Sequence, residues 1–357
     1  MSLTLERDSL AALSLGFSLF GSGGGGSPHL LRLLLEQSDD WPIEISSVNE
    51  LEPSTPCFAP AVAGSTLLFS ERLPGQDAFA PLLESAERWL GTRIPAVCSA
   101  EGGGMNGLAP LLFAPGRTVV DADCTGRAVP SLDQFSLLVD EVPGLIVVCD
   151  TGANGIVLVQ SDRPADIEKM VRSALVQAGG VGNVLVAGFT IDDLRRHAIA
   201  GHLERALELG ETWMESSCRA DSSAGVIGGL RRIGAGRVTS IVQDLDDEHV
   251  HTAQIVGERG EVCRLIARSE FLAFVVDGRV HAAAPECLVA VDPLTSEILE
   301  ATALSVNQRI EVWSLPVDDW WYRREHRLRR VTPAEYRLAG LDIARPDSTR
   351  AGGNDVR

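Results

Sequence analysis

Residues 121–127 read Asp-Ala-Asp-Cys-Thr-Gly-Arg and bring two carboxylates, a thiol and a guanidinium together. The apolar residues before this segment predict a strand, and alternate residues of a strand face the same side, so Asp121 and Asp123 would point together. Two such carboxylates could divide the roles of general acid and general base, or bind a divalent metal. Gly126 permits a sharp turn after the strand, which would let Arg127 bind a carboxylate of the pair or of a substrate. A purely structural Asp–Arg turn is the alternative.

A second candidate is the glycine run of residues 21–26, Gly-Ser-Gly-Gly-Gly-Gly. It satisfies the G-x-G-x-x-G pattern of dinucleotide sites, but residues 9–20 predict a helix where that pattern requires a strand. Ser27-Pro28 predicts the start of another helix, and glycine N–H groups beside a helix N-terminus favour an anion or a carboxylate; a flexible loop is the alternative. His29, in the first turn of that helix, could transfer a proton, orient a ligand or have no role. The glycines proposed to bind substrate are Gly23, Gly24, Gly25 and Gly26.

Three further side chains are weaker candidates. Asn106 ends a glycine-rich turn that starts at Glu101, and it could have a chemical role or simply begin a helix. Glu71 follows a short predicted strand and is a candidate base or substrate contact, although a single glutamate there is more often a solvated strand end. Cys124 lies inside the Asp–Arg turn, where a thiol could act as a nucleophile.

The histidines give a weaker signal for a metal. His249 and His251 would share a strand face, where they could chelate a metal or only line a polar hairpin. His197 and His202 are five residues apart on a predicted helix, which is not the i,i+4 spacing of helical metal ligands. The cofactor is therefore undetermined, and a divalent metal is the candidate.

The elements that must position these residues fall into two groups. Helix and strand patterns alternate over residues 1–165, with a hairpin turn at 150–155, which indicates an α/β layered domain. Residues 166–345 predict a second domain, with helices at 166–177 and 191–214 and then short strands at roughly ten-residue spacing between 225 and 315. Thr190 is a good N-cap for the second helix. We expect residues 346–357 to be a disordered tail.

The composition excludes several classes of protein. The chain has 357 residues, enough for two domains, and its 31 Lys and Arg against 49 Asp and Glu give a net charge of −18, which disfavours nucleic acid as a partner. The apolar runs are too short to cross a membrane, and the N-terminus has no clear targeting segment. Seven scattered cysteines without a CxxC pair predict no disulfide framework and indicate a reducing, cytoplasmic compartment.

The chain resembles the S-methyl thiohydantoin desulfurase family in these motifs and in their order. The family's LGxGGGG, GGxN and DADxxGRAxPE patterns correspond to residues 19–28, 104–106 and 121–130, and similarity extends over roughly residues 5 to 335. This chain departs from the family at Ser131, where an acid is expected, at Gly102, where an Ile is expected, and around Tyr336, where an aromatic segment is missing. The resemblance implies an N-terminal three-layer α/β domain followed by a β-barrel-like domain.

The resemblance also implies hydrolytic release of a thiol from an S-methylated thiohydantoin. In this reading Asp123 is the base or a metal ligand, Asp121 is its partner, and Asn106 orients or polarises the ring. Arg127 pairs with an acid or an anion, and the glycine run holds a substrate carboxylate. The predicted ligand is then a small-molecule substrate. A hydantoinase-type protein and a second copy of the chain are the further candidate partners. The alternatives are a non-catalytic accessory role beside such an enzyme and nucleotide binding at the glycine run.

Overall fold

The computed structural model describes residues 2–65, 68, 78–218, 225–247 and 249–343. Two sheets organise this part of the chain, and the helices pack mainly around the first of them. The α-helices are α1 (Leu10–Phe20), α2 (His29–Glu36), α3 (Ala80–Leu90), α4 (Ser136–Val139), α5 (Pro164–Gln177), α6 (Ile191–His197), α7 (His202–Cys218) and α8 (Glu325–Arg329). Short 3-10 helices include Gly104–Gly107, Ala109–Phe113 and Pro333–Tyr336.

The first sheet is mixed and has the order β1-β2-β5-β4-β3-β8-β6-β7, with β9 paired to β5. The strands β2, β5, β4 and β3 are parallel neighbours, and the pairings of β1, β6, β7, β8 and β9 are antiparallel. The strands are β1 (Leu3–Leu5), β2 (Ile43–Ser47), β3 (Pro56–Gly64), β4 (Ala96–Ser99), β5 (Thr118–Asp123), β6 (Ile146–Asp150), β7 (Ile156–Val159), β8 (Val181–Thr190) and β9 (Ile199–Ala200).

The second sheet is curled and antiparallel, with the order β15-β14-β13-β12-β11-β18-β16-β17 and β10 paired to β11. Its strands are β10 (Val226–Ile227), β11 (Leu230–Gln243), β12 (Val250–Gly257), β13 (Val262–Arg268), β14 (Glu270–Val276), β15 (Arg279–Ala283), β16 (Cys287–Val291), β17 (Ile298–Leu299) and β18 (Arg309–Leu315). An α/β part followed by a β-rich part is thus confirmed.

Strand β16 joins the two hydrophobic cores because its side chains alternate between them. Cys287, Val289 and Val291 pack into the core of the first sheet, whereas Leu288 and Ala290 pack into that of the second. This is the period of two expected for a strand that is buried on both faces. The two sheets are therefore held in contact along β16, beside the glycine run.

Two details differ from the sequence prediction or extend it. The helix predicted over 191–214 is wrong as a continuous element, because it is α6 and α7 separated by β9, whose residues pair with β5. Gly201, with a φ of 76°, provides the left-handed turn between β9 and α7. The N-cap prediction is confirmed, since the Thr190 hydroxyl accepts a hydrogen bond from the Asp193 N–H at the start of α6.

Strand β8 lies beyond residue 165 and completes the first sheet between β3 and β6, so the domain boundary at 165 stays a prediction. The hairpin turn at 150–155 is confirmed by the pairing of β6 with β7. Within the described ranges, no helix is both long and apolar enough to cross a membrane. The six cysteines that the structure describes are unpaired thiols.

Candidate functional site

Three glycine-containing segments meet where the two sheets come together. The Met105 N–H donates to the carbonyl oxygens of Gly25 and Gly26, at 3.1 and 3.0 Å, which ties the segment 101–106 to the glycine run. The Gly102 N–H donates to the Thr125 hydroxyl at 2.9 Å, which ties the same segment to residues 121–127. The structure therefore brings together the three motifs that are far apart in the sequence.

The second sheet closes this cluster from the other side. The Phe271 N–H donates to the Ser22 carbonyl at 2.7 Å, and the Ala301 N–H donates to the Gly23 carbonyl at 2.8 Å. A Cβ placed on Gly24 would lie 2.6 Å from Oε1 of Glu270, and one on Gly104 would lie 2.3 Å from the Gly25 carbonyl oxygen. Glycine is needed at Gly104, where the φ is 65° and the Gly25 main chain occupies the space of a side chain, whereas at Gly24 the Glu270 side chain would have to move.

Glu101 is a buried carboxyl in the middle of this cluster. Its Oε1 accepts a hydrogen bond from the Val129 N–H at 2.7 Å, and its Oε2 accepts one from the Asn106 amide at 2.7 Å. Burial raises the pKa of Glu101 from 4.5 to about 7, and the charge of Asp123 adds to this rise. The two hydrogen bonds and the charge of Arg127 lower the pKa and so oppose the rise. Glu101 can therefore gain or lose a proton near neutral pH.

Glu270 is a second buried carboxyl, at the start of β14. Burial raises its pKa from 4.5 to about 8, and the neighbouring charge of Glu101 raises it further, while Arg127 and Arg268 oppose the rise. Its Oε2 has no hydrogen-bond partner among the described residues, and its side chain lies against half-buried Gly24. Two coupled carboxyls with raised pKa values are typical of sites that transfer protons.

The amide of Asn106 is fully occupied by its neighbours. Its Oδ1 accepts from the Val62 N–H at 2.8 Å, and its Nδ2 donates to the Val62 carbonyl at 3.0 Å and to Glu101 at 2.7 Å. Asn106 therefore links strand β3 to the Glu101 carboxyl. Its predicted contact with a substrate ring stays a prediction.

Arg127 is buried and joins the two sheets. Its Nε donates to the Ala128 carbonyl at 3.0 Å, and its Nη1 donates to the Pro285 carbonyl at 2.5 Å. Both partners are main-chain carbonyls, and that of Pro285 lies just before β16, whereas the sequence predicts a carboxylate or an anion as the partner. The positive charge still acts on the site, because it lowers the pKa values of both Glu101 and Glu270.

The two aspartates of β5 have different surroundings. Oδ1 of Asp123 accepts hydrogen bonds from the N–H groups of Thr125 and Gly126, at 2.6 and 2.5 Å, and its Oδ2 has no hydrogen-bond partner in the part of the chain that the structure describes. Asp121 accepts from the N–H groups of Leu203 and Glu204, at 2.8 and 3.3 Å, and so stabilises the start of α7. Burial raises the pKa of Asp121.

The described residues do not fit a metal centre at these aspartates. Within the described ranges, no three His, Cys, Asp or Glu side chains are arranged so that they could hold a metal ion. Three of the four carboxylate oxygens of Asp121 and Asp123 are engaged by main-chain N–H groups.

Two of the other candidates, His29 and Cys124, contribute no reactive group to the buried cluster. His29 is exposed in the first turn of α2, whereas Glu101 and Glu270 are buried. Glu71 lies outside the described residues. The hydrogen bond with Cys98 and burial raise the pKa of Cys124 well above its usual value, so its thiol stays protonated and is a poor nucleophile.

Sequence reasoning missed Glu270 and His202 as functional candidates and did not single out Glu101. Glu101 is the first residue of the glycine-rich segment 101–106, so its place in the sequence could have identified it as a site residue. Glu270 follows a strand with no motif around it, and it reaches the glycine run only through the packing of the two sheets. His202 is buried beside Asp123, which no spacing along the chain reveals.

Comparison with known proteins assigns the whole arrangement to a family. A family model described as S-Me-THD-like, N-terminal domain, matches residues 8–161, and one described as S-Me-THD-like, C-terminal domain, matches residues 161–344. The chain belongs to the S-Me-THD-like family. The resemblance to S-methyl thiohydantoin desulfurases, inferred from the order of the motifs, is thus confirmed at the level of the family.

The S-Me-THD-like fold of this chain is similar to that of a protein from Chromobacterium violaceum whose crystal structure is known. The two share 21% sequence identity over 95% of this chain and 98% of that chain, with a TM-score of 0.71. At this identity the likeness shows a common fold. No curated protein matches the chain.

Proposed function

We propose that this S-Me-THD-like protein is a hydrolase that releases a thiol from an S-methylated thiohydantoin-like ring. The observation that carries the proposal is the pair of buried carboxyls, with the pKa of Glu101 at about 7 and that of Glu270 at about 8, beside the glycine run. Both carboxyls titrate near neutral pH, and the charge of ionised Glu101 raises the pKa of Glu270, so Glu101 can be ionised while Glu270 is protonated. One site then holds a general base and a general acid at the same pH.

The reaction needs both groups. The carbon under attack is like that of an isothiourea, bonded to sulfur and doubly bonded to a ring nitrogen. Glu101 takes one proton from water as the water oxygen bonds to this carbon, and Glu270 gives its proton to the ring nitrogen. The carbon–sulfur bond then breaks, the thiolate leaves with the proton held by Glu101, and the hydroxyl proton returns to Glu270 as the carbonyl forms. The products are a hydantoin-like ring and a thiol.

The surrounding groups have separate roles in this scheme. Arg127 supplies the positive charge that keeps the Glu101 pKa from rising further, and Asn106 fixes the Glu101 carboxyl through a 2.7 Å hydrogen bond. The Gly24 N–H already donates to the Gly21 carbonyl at 2.8 Å, so the main-chain N–H of half-buried Gly25 is the group offered to a substrate carboxylate. The role of Asp123 as base is a competing assignment, which the test below separates from that of Glu101.

The test is thiol release from S-methyl thiohydantoin propionate by the purified chain, followed with a thiol-reactive dye. We expect Glu101→Gln and Glu270→Gln to lose at least about 100-fold in kcat, as for the loss of a general base or acid. Asp123→Asn should retain more activity than Glu101→Gln, and Glu84→Gln, which changes an exposed glutamate on α3, should match the wild type.

Two outcomes would contradict the assignment. Full activity in folded Glu101→Gln together with loss in Asp123→Asn would make Asp123 the base. No thiol release from the folded wild-type chain would overturn the hydrolase proposal for this substrate and would favour an accessory role beside a hydantoinase-type protein.

A further inference from the structure

His202 lies at the start of α7, and its imidazole fills the space above Gly102. The side chain is 2% exposed, and its ring centroid is 4.4 Å from that of Phe20 on α1. A Cβ placed on Gly102 would lie 2.6 Å from both Cδ2 and Nε2 of His202. The absence of a side chain at residue 102 is therefore what admits this imidazole to the site.

The hydrogen bonds of His202 determine where its protons lie. Nε2 is 2.6 Å from the Gly102 carbonyl oxygen, which can only accept a hydrogen bond, so Nε2 carries a proton. Nδ1 is 3.9 Å from Oδ2 of Asp123, and neither atom has a hydrogen-bond partner in the described part of the chain. In a neutral imidazole with its proton on Nε2, two buried acceptors would face each other without a proton between them, which is unfavourable.

Charged side chains of β5 and α7 lie near His202. Strand β5 contributes Asp121 and Asp123, whereas α1 contributes the aromatic rings of Phe17 and Phe20. Arg205, on α7 itself, is the opposing charge, and its guanidinium lies over Phe20 at 5.1 Å. Two main-chain N–H groups donate to Oδ1 of Asp123, so its carboxyl group is fixed in position with Oδ2 facing Nδ1 of His202.

We propose that His202 is a positioning residue, which carries a second proton directed at Asp123 and holds the Gly102 carbonyl, and with it Glu101, in place. The effect of His202 on kcat, but not its protonation state, rests on the proposed function. The doubly protonated state itself is independent of the reaction. An imidazolium donates a stronger hydrogen bond to the Gly102 carbonyl than a neutral ring does.

The protonation state is tested by two-dimensional nitrogen–proton NMR of the histidine-labelled full chain near pH 7, with the His202 signals assigned by their loss in His202→Gln. We expect both ring nitrogens of His202 to be protonated in the wild type. In Asp123→Asn the new amide N–H can donate to Nδ1, so we expect a neutral ring with its proton on Nε2. A neutral His202 in the folded wild type would overturn the inference, whatever the variant does.

The kinetic test separates positioning from simple filling of space. His202→Leu should lose about 10- to 100-fold in kcat with little change in KM, the value expected for one hydrogen bond to a charged donor. His202→Gln, whose amide N–H can still reach the Gly102 carbonyl, should recover most of that loss. His281→Gln, at an exposed histidine on β15, is the matched control.

Equal loss in His202→Gln and His202→Leu, with both variants folded, would contradict the positioning role. If the wild-type chain releases no thiol, the proposed function fails, but the NMR experiment still decides the protonation state of His202. The two failures are therefore distinguishable.

Discussion

Replacing Glu270 with Gln should stabilise the protein at alkaline pH while it removes the proposed acid. The Glu270 carboxyl is 3% exposed, its Oε2 has no partner among the described residues, and burial raises its pKa from 4.5 to about 8. Between these pH values the folded chain binds a proton that the unfolded chain releases, so the stability of the wild type falls as pH rises. Above about pH 8 the full penalty of a buried charge is present.

The magnitude follows from the size of the pKa change. Each tenfold change in proton affinity corresponds to about 1.4 kcal/mol, so a rise from 4.5 to about 8 amounts to at most about 5 kcal/mol. Glutamine has the same shape and no charge. The free energy of unfolding of Glu270→Gln, relative to the wild type, should therefore increase by up to about 4 kcal/mol between about pH 5 and about pH 9, since part of the penalty is already present at about pH 5.

Urea unfolding of both proteins at these two pH values measures this difference. Glu84→Gln, at an exposed position on α3, is the control for the loss of a charge at the surface and should show little dependence on pH. A difference between Glu270→Gln and the wild type that does not change with pH would refute the reasoning, because the folded state would then not raise the proton affinity of Glu270. A Glu270→Gln chain less stable at alkaline pH would refute it as well.

Three more predictions follow from the same contacts. Gly24→Ala should lower thiol release and should lower the free energy of unfolding by about 1–3 kcal/mol, because the added Cβ would lie 2.6 Å from Oε1 of Glu270. Gly116→Ala is the control and should be neutral in both assays, because its added Cβ meets open space. Asp121→Ala should lower the free energy of unfolding by about 0.5–2 kcal/mol in urea titrations, because α7 loses the carboxylate that accepts two of its first N–H groups, and an unchanged value would contradict this. Arg127→Met removes a positive charge that lowers both glutamate pKa values, so both limbs of the pH profile of kcat/KM should move to higher pH; a move to lower pH would contradict the assignment.

Local patterns predicted much of the fold. Thr190 was identified as a helix cap because its hydroxyl and the following residues form a local signal, and the hairpin at 150–155 depends on turn residues next to each other. The break between α6 and α7 was missed because Ile199 and Ala200 pair with β5, about 77 residues earlier in the chain. Such a pairing overrides the helical pattern of the segment and leaves no local trace.

The site shows the same division between local and long-range information. Its three glycine-containing segments were identified from residue types and order, and the structure brings them together. Glu270 was not found, because its importance depends on the side chain meeting Gly24, and nearly 250 residues separate the two along the chain. The roles predicted for Asp121 and Asp123 depend on their shared strand face. The N–H groups that bind the Asp121 oxygens belong to α7, and the sequence pattern of a strand carries no information about such a contact.

The pH dependence of kcat/KM for thiol release from S-methyl thiohydantoin propionate, measured from about pH 5 to about pH 10, tests the central claim most directly. The pKa values of about 7 for Glu101 and about 8 for Glu270 predict a bell-shaped profile, in which activity falls below the first value as the base is protonated and above the second as the acid is lost. A profile that stays flat from about pH 5 to about pH 9 would contradict the account, because neither a base nor an acid that titrates near neutrality would then take part.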